Sequence, residues 1–96
     1  MAQVSWTLEA NRWLEDIFEY IAAENPEAAS RTVLGIYEKA QVLAEHPEIG
    51  HRYWASNRHV RILLYGHYRI AYKAQDDQII VLGVFHGALA IERYLI

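Results

Sequence analysis

The chain of 96 residues contains no cysteine. That excludes disulfide staples, thiolate catalysis and cysteine-ligated zinc, and it accords with a reducing compartment. No apolar run approaches the roughly 18 residues of a membrane-spanning helix, and the opening MAQVSW has neither the basic start nor the apolar stretch of a secretory signal. The sequence therefore predicts a cytoplasmic protein. It has no glycine-rich phosphate loop, no G-x-S-x-G elbow and no H-x-x-x-H pair, and His46, His51, His59 and His67 share no ligand spacing with neighbouring carboxylates. Neither a metal nor a cofactor is expected. Basic residues are also short, nine against twelve acids for a net charge of −3. This argues against a protein that grips nucleic acid through a broad basic surface, because such binding draws on many Lys and Arg contacts to phosphate.

What is present is an ordinary globular composition, 53% apolar and 22% charged, in a length that supports one domain, residues 1–96, with a modest core. The charge is segregated. Residues 1–50 carry nine acids and three bases, whereas residues 51–96 carry three acids and six bases. An anionic target would meet the second half.

Periodicity divides the chain. A short alternating strand ends at Thr7, which can cap a helix running to about Glu24, with Ala10, Leu14, Ile17 and Ile21 on one face. Asn25-Pro26 suits the cap and first position of a second helix, which presents Ala29, Val33, Ile36, Ala40 and Leu43 and stops at His46-Pro47. The stretch PEIGHRYWASN reads as a loop. Three period-two segments follow, HVRILLY, YRIAYKA and QIIVLGVFH, joined by Gly66-His67 and by QDDQ. The expected fold is α+β, β-αα-βββ, an antiparallel sheet with a helical hairpin on one face.

Turn lengths set a register to test. A two-residue loop at Gly66-His67 pairs Tyr65 with Tyr68, Leu64 with Arg69 and Ile62 with Ala71; a loop at 75–78 pairs Ala74 with Ile79 and Arg69 with Val84. His86 would then share a face with Arg69 and Lys73, about 7–8 Å from Arg69 as a diagonal neighbour, with Arg61 on the other face. Two readings stand. Arg69 is a forked phosphate ligand with His86 as acid, base or donor, or else Arg69 snorkels from a solvent-facing strand and His86 ends it. A one-residue slip would reverse the faces. Tyr53 and Trp54, mid-loop aromatics, are candidate contact residues. Leu89, Ile91, Tyr94, Leu95 and Ile96 make an apolar tail that requires a surface to dock on, in this chain or another.

In order, VSWTLEA, LEDIFEYIAAENPEAA, LAEHPEIGHR and YRIAYKAQDDQIIVLGVFHG resemble the RelE/ParE superfamily of bacterial toxins from type II toxin–antitoxin systems, along nearly the whole chain. The resemblance implies the β-αα-βββ fold, a cytoplasmic toxin, and an antitoxin encoded beside it whose C-terminal segment wraps it. RelE-like members are ribosome-dependent messenger-RNA endoribonucleases. In that branch Arg69 matches a central-strand arginine and His86 a last-strand histidine, both catalytic. ParE-like members, often labelled plasmid stabilisation proteins, instead poison DNA gyrase. The chain resembles this branch, because Gly87 follows His86 where a tyrosine is usual and Ala88-Leu89 replaces an arginine pair. Arg61, Arg69, Lys73, Tyr53 and Trp54 are then partner-binding candidates. The alternatives are the ribonuclease, with ribosome and messenger RNA as partners, and an inactive relic that still binds antitoxin.

Overall fold

A computed structural model describes residues 2–53 and 59–87. Strand β1 (Gln3–Trp6) leads into helix α1 (Leu8–Ala22), and α2 (Pro26–Gln41) follows, ending in a turn of 3₁₀ helix at Val42–Ala44. Then come β2 (His51–Arg52), β3 (Arg61–Tyr65), β4 (Tyr68–Gln75) and β5 (Gln78–His86). The sheet order is β1-β5-β4-β3-β2.

Both helices start where their caps dictate. The Thr7 side chain accepts from Ala10 N–H at 3.0 Å, and Asn25 Oδ1 accepts from Ala28 N–H at 3.1 Å with Pro26 opening α2. Each satisfies one of the donors that a helix start leaves without an intrahelical partner. The helical hairpin covers one face of the sheet. Ile36, Ala40 and Leu43 meet Leu63, Ile70, Tyr72, Ile79, Val81 and Val84 in the main core. Full burial of each Leu, Ile or Val side chain among them contributes about 1.5–3 kcal/mol. A second cluster of Val60, Ile62, Ala71 and Phe85 occupies the opposite face, where Tyr53 and Leu82 pack against it.

Two features differ from the sequence reading. The segment read as a loop contains β2, which pairs antiparallel with β3 through His51–Ile62 and Arg52–Arg61. And the sheet is mixed, because β1 runs parallel to β5, from Gln3–Gln78 to Trp6–Val81. The cause is the exit from β1. Thr7 N–H still donates to Val81 O, and α1 then carries on in the strand's direction, so that Trp13, Ile17 and Ile21 lie alongside Val84 and His86. Direction reverses between α1 and α2, α2 and β3, β3 and β4, and β4 and β5. Four reversals leave β5 parallel to β1. Where β1's pairing stops, Trp13 takes over the flank of β5, its ring 4.8 Å from that of Phe85.

Candidate functional site

The register from the Gly66 turn is the expected one: Tyr65–Tyr68, Leu64–Arg69, Ile62–Ala71. Gly66 adopts φ +59, a left-handed conformation that glycine tolerates without a Cβ clash. The β4–β5 pairing also begins as expected, with Ala74 opposite Ile79, and Gln75–Gln78 tightens the turn to Asp76-Asp77. It then slips. Tyr72 faces Val81 but Ala71 faces Gly83, which leaves Leu82 as an extra residue, a β-bulge. Beyond it Arg69 pairs with Phe85, not Val84, and Tyr68 pairs with His86.

The expected juxtaposition of Arg69 and His86 is thereby overturned. Opposed residues share a face and successive residues alternate, so His86 stands with Tyr68 on the helix side while Arg69 stands on the other side with Ala71 and Phe85. His86 joins Trp13, Asp16, Ile17, Tyr20, Ile21, Tyr68 and Val84 around a cleft of about 430 Å³ between α1 and the strand ends. Its ring lies 5.1 Å from Tyr68. Burial pushes the Tyr68 phenol up from its ordinary value of 10.0.

Arg69 and Lys73 do share a face, and Arg61, opposite Tyr72, is on the other. Both Arg69 and Lys73 lack a side-chain hydrogen bond or ion pair with any of the described residues. Among the described residues no strand contains an Asp or Glu. The described acids sit on helices, loops and turns, so among the described residues a chain of net charge −3 presents a sheet face whose charged groups are cations. Sequence reasoning left His51 out of this face. The pairing of His51 with Ile62 in β2 places it there, two strands from Arg69 and therefore roughly 10 Å to the side.

The remaining candidates are distributed differently. Arg61 is engaged: its Nη1 donates to Gly50 O at 2.8 Å and to Glu48 O at 3.3 Å. Beside it the buried Tyr72 hydroxyl accepts from Gly50 N–H and donates to Pro47 O, each at 2.9 Å. Together they clamp the 47–50 loop to the sheet. Burial raises the Tyr72 phenol above 10.0 and Glu48 adds to the rise, while the Gly50 hydrogen bond and the Arg61 charge oppose it. Tyr53 is half-buried against the Val60 cluster rather than projecting, its N–H bonded to Val60 O at 2.8 Å. Trp54 and the apolar tail lie outside the described residues. Among the described residues no three His, Cys, Asp or Glu side chains cluster as a metal set, and no helix is long and apolar enough to cross a membrane.

Comparison with known proteins agrees with this architecture. The chain is 35% identical over 88 residues to Toxin RelE2 of Caulobacter vibrioides, covering 92% of this chain and 98% of the relative. A chain of the chromosomal ParDE toxin–antitoxin system from P. aeruginosa superposes with a TM-score of 0.77 at 22% identity, covering 91% of this chain and 97% of that one, and shares the fold. The model of the ParE toxin of the type II toxin–antitoxin system parDE matches residues 4–90. With nearly the full length matched, the chain belongs to the ParE toxin family of type II toxin–antitoxin systems.

Proposed function

We propose that this chain is a cytoplasmic toxin that inhibits DNA gyrase and is neutralised by a cognate antitoxin, and that it does not cleave RNA. The observation that carries this reading is the slip at Leu82, which removes His86 from the face of Arg69. Metal-independent cleavage of a phosphodiester needs a base for the 2′-hydroxyl, an acid for the leaving oxygen and positive charge at the phosphorus, all converging on one group. Arg69 and Lys73 supply charge, but His86 stands on the opposite face, and His51, a strand imidazole on theirs, is two strands away. The acid–base pair of the ribonuclease reading is not assembled.

The same face suits a carboxylate-bearing protein segment. Arg69 and Lys73 have no acidic competitor within the strands, and an arginine opposite a carboxylate makes paired, charge-assisted hydrogen bonds. We assign this face to the antitoxin, with Arg69 and Lys73 as contacts. Arg61, on the opposite face, serves chiefly to hold the 47–50 loop.

Inducible expression of the chain alone in a bacterial host tests the function. Growth arrest with induction of the DNA-damage response, intact message, and cleaved plasmid trapped on purified gyrase is the expected result. Arrest with message cut inside ribosomes, lost on Arg69→Ala, would overturn it in favour of the ribonuclease. Normal growth in the presence of folded protein would leave an inactive antitoxin-binding module.

A further inference from the structure

We propose that His67 and His86 form a two-imidazole site for a divalent ion of the first transition row. The inference is independent of the toxin's target. His67 sits in the β3–β4 turn and His86 ends β5, and Gly87 N–H donates to His67 O at 2.7 Å, so the two backbones are tied together beside the rings. The ring centroids are 6.2 Å apart with planes at 61°. Tyr68 supports the His86 ring from the cleft side at 5.1 Å. Both imidazoles are exposed, and neither has a hydrogen-bond or ion-pair partner among the described residues.

Elementary coordination geometry decides whether one ion can reach both. A zinc–nitrogen bond of about 2.0–2.1 Å puts the ring centroid about 3.2 Å from the metal, so two rings on one ion have centroids about 5 Å apart at a tetrahedral angle and at most about 6.4 Å apart. The observed 6.2 Å lies within that limit. Small rotations of two exposed side chains close the remaining distance. Since no third His, Cys, Asp or Glu clusters with them among the described residues, water completes the coordination. The site is therefore an exposed chelate rather than a closed structural centre. Imidazole suits copper, nickel and zinc, and copper(II) should bind most tightly. A bound ion would join the β3–β4 turn to the end of β5, fixing the cleft wall that carries Tyr68 and Val84.

The test is calorimetric titration of zinc chloride into the full chain prepared without an affinity tag, alongside thermal melts. His67→Ala and His86→Ala probe the site, and His51→Ala, on the other face, is the control. All three positions are exposed, so folded variants are expected, and circular dichroism checks them. One saturable equivalent that weakens at least tenfold in each probe variant and is unchanged in the control supports the site, as does a zinc-dependent rise in Tm confined to the wild type and control. Absence of saturable binding up to millimolar zinc overturns it. So does binding that survives loss of either imidazole.

Discussion

Replacing Tyr72 by Phe deletes one oxygen and leaves the ring, and it isolates the contribution of the loop clamp. The hydroxyl accepts from Gly50 N–H and donates to Pro47 O, each at 2.9 Å. A typical intramolecular hydrogen bond contributes a net ~1 kcal/mol, but a buried donor left without a partner costs about 1–3 kcal/mol. Gly50 is buried, so its N–H pays close to that full penalty, whereas Pro47 O, in a part-buried bond, recovers a hydrogen bond from water. The expected loss is about 2–3 kcal/mol, against a total of about 5–14 kcal/mol for a chain of this length. At ~4–8 °C per kcal/mol for a domain of this size, Tm should fall by roughly 10–20 °C. Urea unfolding measures the difference directly, with an unchanged slope showing that the same surface is exposed on unfolding. A loss under about 0.5 kcal/mol, the range of an ordinary surface substitution, would refute the reasoning. Adding Arg61→Gln should give a coupling of at least ~0.5 kcal/mol, since both side chains hold the same loop.

Other outcomes follow from the same contacts. Gly50→Ala should destabilise by at least ~1–3 kcal/mol in urea unfolding, because its Cβ would lie 2.7 Å from Tyr72 Cε1 and 2.8 Å from Ile62 O. Stability should fall as pH rises through 10: Tyr68 and Tyr72 have raised folded-state values, so the unfolded chain releases protons that the folded chain retains. Their contribution is intact below 10 and lost as pH climbs toward the folded values. Alkaline titration of Tyr72→Phe should show a shallower decline. Arg69→Ala should change stability by no more than about 0.5 kcal/mol, as for other exposed positions, yet weaken antitoxin binding measured by calorimetry and reduce its salt dependence.

Much of the framework is legible in the residues. Thr7 and Asn25-Pro26 mark both helix starts, Gly66 sets the β3–β4 register, and the helical spacing of aliphatic residues predicts the buried stripe of Ile36 and Ala40 in α2 and Leu43 in the 3₁₀ turn that follows it. Three features were hidden, each for a physical reason. β2 is two residues long, His-Arg, with no apolar alternation to reveal it. The direction of β1 depends on whether the chain turns back after Trp6, and a capping threonine is compatible with either course. The bulge falls in IIVLGVF, where core clusters lie on both faces, so the sequence lacks the polar–apolar alternation that would expose a slip. The site suffered most. Two residues placed together by counting from a turn were separated by one residue between that turn and them.

The bulge has a consequence for how such chains diverge. Pairing that ran on without the bulge would set Leu82 opposite Ala71 and Val84 opposite Arg69 and carry His86 across to the side of Arg69, with every residue retaining its identity. A histidine aligned to this position in a relative is therefore not by itself evidence of shared chemistry. The informative character is whether the ladder between the Asp76-Asp77 turn and that histidine carries the bulge. In a sheet with cores on both sides, a one-residue change of register can reassign a side chain to the opposite surface more abruptly than any substitution.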